Sequence, residues 1–281
     1  MVGRTRILSA AIAQSKSKIW LPSSAMTEPK ILLLDIETSP GLGWFFDFKK
    51  EYNIVEVKQQ PFLLSIAWQW LGDDSIHVKT IRDFNEKAEY TDEDDYDLCN
   101  LIHELFGKAD VIVAHNGNQF DVKFINARLI KHRFTPPSPY QTADTLTMHR
   151  SIASVPSHRL DYLARYYGIG HKLPHSGKDT WLGCLRNDKT SWNTMVRYNR
   201  HDVLLLRELY LLIRGWPKTH PNLARITGNR VCPRCHSKNI IMRKRHLKYV
   251  MTRQVSRYSC NDCGRWFLGE SEPLDTKLVM R

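Results

Sequence analysis

The apolar run Ile31 to Leu34 leads directly into Asp35, Ile36 and Glu37, and no other segment narrows the possible folds as much. A strand without polar alternation is buried on both faces, so it lies inside a sheet covered by helices. Side chains two apart in a strand leave it on the same face. Asp35 and Glu37 therefore project together from the end of an interior strand, within reach of one ligand. Taken alone, an Asp-x-Glu at a strand end is more often accidental than functional.

Two further acids change that balance. A second apolar stretch, Val111 to Ala114, is followed by the polar turn His115 to Gln119 and by helical spacing of Phe120, Phe124, Ile125, Leu129 and Ile130. Asp121 then falls in the first turn of a helix, where an acid is also favoured by the helix dipole alone. A long helical segment from about Ser191 to Ile213 carries Asp202, with Tyr198 four residues earlier on the same face. By itself Tyr198 reads as a core residue. Four carboxylates facing one another without counter-ions would repel and resist ionisation. The set Asp35, Glu37, Asp121 and Asp202 therefore implies bound cations, and oxygen donors suit hard divalent ions.

These three segments, in this order, resemble the DEDD superfamily of 3'-to-5' exonucleases. Asp35 with Glu37 matches the first motif, Asn116 with Phe120 and Asp121 the second, and Tyr198 with Asp202 the third. The histidine branch needs His five residues before the last acid, where this chain has Arg197; His201, next to Asp202, does not fit. The resemblance is thus to the tyrosine branch, which includes polymerase proofreading domains and stand-alone exonucleases, and it covers about Lys30 to Trp216.

The resemblance implies an RNase H-like mixed sheet flanked by helices. It also implies hydrolysis of single-stranded nucleic acid, DNA favoured over RNA, to nucleoside 5'-monophosphates. Two Mg2+ or Mn2+ ions would be bridged by Asp35. Glu37 and Asp202 would complete the site that generates hydroxide, Asp121 would hold the second ion through water, and Tyr198 would orient the attacking water. Asn116, Phe120 and Trp44 with its neighbours Phe45 and Phe46 are candidates to contact the 3'-terminal nucleotide, since aromatic faces hold unpaired bases, although aromatics are more often core. A polymerase or a replication or repair protein is an expected partner. Two other readings stay open: an RNase H-fold endonuclease, and a nucleic-acid adaptor whose nuclease fold is only a scaffold.

Cys232 and Cys235, with Cys260 and Cys263, form two Cys-x-x-Cys knuckles. Their separation suits a tetrahedral four-thiolate site for one structural Zn2+, and Gly264 suits the turn after the second knuckle. Disulfides are the alternative and need an oxidising compartment. Cys99 and Cys184 read as buried thiols, and His236 is not needed as a ligand. The β-favouring residues between the knuckles suggest the hairpins of a small zinc ribbon.

The chain carries a net charge of +12, and its basic excess is uneven. Residues 221–281 hold 13 Lys and Arg against 4 Asp and Glu, while residues 29–220 hold 24 of each. In the expected ribbon Arg243, Lys244, Arg245, Lys248, Arg253 and Arg257 alternate with Tyr249, Tyr258, Trp266 and Phe267. Cations beside aromatics suit a nucleic-acid grip; docking of a protein is the other reading.

Strands are expected around 31–37, 62–70, 75–81, 111–115 and 141–146, and helices around 95–106, 120–133, 160–167 and 191–213. The expected division is an N-terminal extension over 1–28, the α/β domain over 29–216, a linker over 217–229 marked by Pro217 and Pro221, and the ribbon with its tail over 230–281. The first 25 residues have a composition compatible with a transit peptide, while Met26 opens a natural start for the domain. No apolar run approaches a membrane span, and a cytoplasmic protein is expected. The acidic run Glu89 to Asp97 reads as a solvated helix start, Asp144 and Asp161 as structural, and His171 with Lys172 as a segment near phosphate.

Overall fold

Strand β1 (Ile31–Thr38) is the axis of the molecule. The computed structural model describes residues 28–46, 54–174, 177–243, 248–250 and 253–273. Residues 1–27, Lys244 and Arg245 lie outside them, as does the side chain of Lys248. After β1 come β2 (Leu42–Phe45), β3 (Ile54–Gln59), β4 (Leu63–Trp70), β5 (His77–Thr80), α1 (Tyr96–Lys108), β6 (Val111–Ala114), α2 (Asp121–Lys131) and β7 (Gln141–Asp144). Helices α3 (Thr145–Arg150), α4 (Leu160–Tyr166), α5 (Lys178–Leu185), α6 (Lys189–Ile213) and α7 (Leu223–Thr227) follow. The chain ends in β8 (Ile240–Met242), β9 (Lys248–Val250), β10 (Arg253–Cys260) and β11 (Trp266–Pro273).

Five strands form one mixed sheet in the order β5-β4-β1-β6-β7. β1 pairs antiparallel to β4 and parallel to β6, which pairs parallel to β7. The alternation of β1 divides the core between the two faces of the sheet. Leu32, Leu34 and Ile36 join a cluster with α1 and α2 residues such as Ile102 and Ile125, while Ile31 and Leu33 join one with Val203, Leu206 and Leu209 of α6. Leu33 is fully buried, so Leu33→Ala would cost about 2–5 kcal/mol. Asp35 and Glu37 continue the odd-numbered register of Ile31 and Leu33. Strand geometry thus turns both acids toward the α6 face.

The fold class is the one expected, an RNase H-like mixed sheet flanked by helices, with four local departures. β2 and β3 form a separate hairpin. The strand expected to reach residue 146 stops at Asp144, because the Asp144 carboxylate accepts from the amides of Leu146 (2.9 Å) and Thr147 (3.3 Å) and starts α3 there. α5 packs closely on α6: a Cβ on Gly183 would lie 2.0 Å from Ser191 Oγ.

The fourth departure lies at 217–229, expected as a linker. These residues contain α7 and cover the end of α6. His220, buried, stacks on Tyr210 at 5.6 Å and is 2.8 Å from its hydroxyl. Arg234 donates to the carbonyls of His220 and of Lys218 (3.0 Å). In the C-terminal sheet β10 pairs antiparallel with β11, β8 and β9. Arg265 ties this sheet to α6 by donating to the carbonyls of Gly215 (3.4 Å) and Trp216 (2.8 Å).

Candidate active site and four-cysteine cluster

The parallel pairing of β1 with β6 runs only to Leu33 and Val113. Beyond that point the β6 side of β1 is open at the carboxyl ends of two parallel strands, where α/β sheets hold their ligands. Asp35 and Glu37 lie in this opening. Asp202 faces them from α6, and one carboxylate oxygen from each of the three comes within 4.8 Å of the others. Burial is the main cause that holds Asp35 well above the ordinary carboxyl range, followed by the charge of Glu37. Burial and then Asp202 push Glu37 up to about 8. Trp181 gives Glu37 a hydrogen bond that works against this rise.

Asp121 is the first residue of α2 and is buried. Its Oδ1 accepts from the Ile36 amide at 3.3 Å, and burial pushes its pKa up to about 7. It stands outside the 4.8 Å group of the other three acids. The turn that delivers it needs a glycine: a Cβ on Gly117 would meet the Ala114 Cβ at 2.4 Å. Asn116, beside it, adopts a left-handed φ of 68°. Asp144 holds the turn by accepting from the amides of Asn116 (3.0 Å) and Asn118 (3.1 Å), which gives this acid a structural task.

On α6 the four-residue spacing brings Tyr198 and Asp202 to one cation. Lys172 Nζ donates to the Tyr198 hydroxyl at 2.8 Å and to Asp202 Oδ2 at 2.5 Å. Burial disfavours the ammonium, but Asp202 more than compensates, and the Lys172 pKa lies above its usual value. Burial pushes Tyr198 up to about 12. The segment carrying Lys172 is fixed by His201, whose Nε2 lies 2.8 Å from the His171 carbonyl, and by Asp161, which accepts from the Lys172 amide at 2.7 Å.

One organising residue has no counterpart in the sequence motifs. Asn199 Nδ2 donates to Asp35 Oδ2 at 2.7 Å and to its carbonyl at 3.1 Å, while Asn199 Oδ1 accepts from Ser65 at 2.9 Å. It lies three residues before Asp202, so helical spacing was the available signal.

The site suits hard divalent cations. Its donors are three clustered carboxylates whose pKa values are raised by burial although Lys172 lies beside them, and Asp202 Oδ1 is buried with no hydrogen-bond partner among the described residues. An ion would satisfy that oxygen.

The expected substrate contacts fall in different places. Asn116 borders a cavity with Asp35, and Phe120, partly exposed, faces Phe124 at 6.0 Å. Trp44, Phe45 and Phe46 are not core residues: Trp44 is 63% and Phe46 92% exposed at the end of β2. Arg243 is remote from the acids, over the Trp266 ring at 5.7 Å.

The four cysteines also converge, with Cys232 and Cys263 sulfurs 3.6 Å apart and those of Cys235 and Cys260 likewise 3.6 Å apart. A tetrahedral zinc site has sulfur–sulfur edges of about 3.8 Å, from zinc–sulfur bonds of about 2.3 Å, so the cluster could bind zinc. His236 takes no part, because its ring nitrogens contact Glu28 at 2.7 Å and Thr227 at 2.9 Å. Cys99 and Cys184 are buried thiols raised first by desolvation.

The sheet order and its covering helices are those of an RNase H-like nuclease fold. A family model described as the RNase H superfamily matches residues 58–214, and the chain belongs to that superfamily. It is 29% identical over 152 residues to a DNA polymerase III PolC-type of Ureaplasma parvum serovar 3 (strain ATCC 700970), a match covering 50% of this chain and 10% of that protein. The chain thus spans about a tenth of the length of that relative. The family B DNA polymerase from the hyperthermophilic archaeon Pyrobaculum calidifontis aligns with a TM-score of 0.45 at 17% identity, over 74% of this chain and 28% of that chain. No described helix is long and apolar enough to cross a membrane.

Proposed function

We propose that the protein is a metal-dependent 3'-to-5' exonuclease of the tyrosine branch, acting on single-stranded nucleic acid with DNA favoured over RNA. The observation that carries this is the convergence of Asp35, Glu37 and Asp202 within 4.8 Å beside Tyr198. The likeness to a PolC-type DNA polymerase III supports DNA as the substrate and a replication or repair setting.

Asp35, Glu37 and Asp202 would hold the hydroxide-generating ion, with Asp35 shared with a second ion held by Asp121 through water. Bound Mg2+ or Mn2+ supplies the positive charge that masks the phosphodiester and acidifies a water. Asn199 keeps the Asp35 carboxylate in a single orientation. Tyr198, too weak an acid to act as base near neutrality, orients the attacking water through its hydroxyl. Trp44, Phe46 and Phe120 offer exposed faces on which unpaired bases can stack.

The four cysteines would hold structural zinc, and the basic ribbon would grip the strand. Two arginine–aromatic pairs support the grip, Arg243 over Trp266 and Arg230 over Tyr258, each at 5.7 Å. Digestion of matched 5'-labelled DNA and RNA strands with Mg2+ or Mn2+ tests the proposal. A ladder shortening from the 3' end with release of mononucleotides is expected, and internal fragments instead would identify an endonuclease.

A further inference from the structure

Next to the acids lies a cavity of about 500 Å3 with the opposite electrostatic character. Its wall includes Asp35, His115 and Asn116 together with Arg150, Arg159 and Lys172. Arg150 and Arg159 are exposed, and neither guanidinium has an ion pair or hydrogen bond among the described residues. Some arginines elsewhere do have partners: Arg128 is paired with Asp95 at 2.7 Å and Arg207 with Glu208 at 2.8 Å. The one other acid of the wall, Asp161, is engaged by Arg165 at 3.0 Å and by the Lys172 amide.

The chain that carries the two arginines is held in position. Arg150 ends α3 directly after His149, and Arg159 precedes α4 directly after His158. The His149 and His158 rings meet Nδ1 to Nδ1 at 2.9 Å, and His115 Nε2 lies 2.9 Å from the His158 carbonyl. This imidazole clasp closes the segment between them, and both arginines line the same cavity. Planar guanidinium forks without partners are what phosphate recognition uses.

We propose that this cavity is a subsite for the backbone phosphate adjacent to the bond that is cut, anchored by Arg150 and Arg159; this rests on the exonuclease function proposed above. Lys172 stands between the two regions, tied to Tyr198 and Asp202 on the side of the acids. The carboxylates serve the scissile phosphate through cations, and the arginines hold its upstream neighbour directly.

Two dinucleotides test the subsite, one carrying only the scissile phosphodiester and the other an added 5'-phosphate in the upstream position. The full-length protein should cleave the phosphorylated one with a kcat/KM about tenfold higher. The double variant Arg150→Ala, Arg159→Ala should bring that ratio close to one, while Arg150→Lys, Arg159→Lys retains part of it. Binding of a fluorescent single-stranded oligonucleotide to proteins that also carry Asp202→Asn should lose about 0.7 of its salt slope per arginine removed. A ratio and a salt slope that stay at the parent values in the alanine variant would overturn the subsite and leave the exonuclease reading standing. If the parent cleaves neither dinucleotide nor any longer strand, the exonuclease reading falls. The salt slopes then decide the subsite as a strand-binding site by themselves.

Discussion

Asn199 and Asp35 are joined twice: the Asn199 amide donates to the Asp35 carboxylate at 2.7 Å and to its main-chain carbonyl at 3.1 Å. A buried carboxylate that must present one oxygen to a cation needs such a clamp. Asn199→Ala should lower activity or Mn2+ affinity by about 10–100-fold and cost about 1–3 kcal/mol through the unsatisfied Ser65 hydroxyl and Asp35 groups. Metal titration and thermal denaturation measure the two effects. Parent-like values in both would show that Asp35 holds its orientation unaided.

Asp202→Asn and Asp35→Ala should each reduce hydrolysis by on the order of 10^3-fold or more. Strand binding should remain nearly intact, because the ribbon carries most of the basic excess. Tyr198→Phe removes only the hydroxyl that Lys172 holds, so a milder loss of about 10–100-fold is expected. Single-turnover cleavage beside equilibrium binding separates the two quantities. Full cleavage by Asp202→Asn would remove this acid from the metal site.

The raised carboxyl groups make the metal-free protein sensitive to pH. An acid with a higher pKa folded than unfolded contributes stability that is complete below its ordinary pKa and is lost as pH rises through the folded value. Glu37 moves from 4.5 to about 8 and Asp121 from 3.8 to about 7, which sets the window. The melting temperature in EDTA should therefore fall between about pH 3.8 and pH 8. Saturating Mg2+ should recover most of the loss at the upper end, since the cation favours ionised carboxylates. A metal-free protein more stable at pH 8 than at pH 5 would contradict this.

Cys260→Ser should release one equivalent of zinc and unfold the ribbon. The two core clusters on either side of the main sheet contain no ribbon strand, so the α/β domain should stay folded. Because Arg234 and Arg265 bond to the chain just after α6, hydrogen exchange should show lost protection in the last turn of α6 and in residues 215–223. Unchanged exchange there would mean that the ribbon can leave without consequence.

What could be read from the sequence followed the range of the interactions involved. Alternation in β1 and four-residue spacing in α6 are local, and they put Asp35 with Glu37, and Tyr198 with Asp202, on shared faces. Helical spacing places Asn199 near Asp202, but its task depends on Ser65, 134 positions away. Lys172 stood out only as part of a segment near phosphate; its link to Asp202 is tertiary. α5 escaped detection since Gly183 lowers helix propensity yet is required where α5 meets Ser191.

The contact between Gly215 and the second knuckle leaves no room for play: a Cβ on Gly215 would come within 2.7 Å of the Cys263 carbonyl. The ribbon is seated on the chain just after the helix that carries Asp202, which ties the proposed grip to the proposed cutting point. From Asp202 to Ile213 the helix axis advances about 16 Å. The protein then behaves as a caliper with fixed jaws. Oligonucleotides too short to span that gap should be degraded with no benefit from the ribbon, and affinity should rise in one step at the first length that reaches both jaws, not gradually as it would on a loose tether.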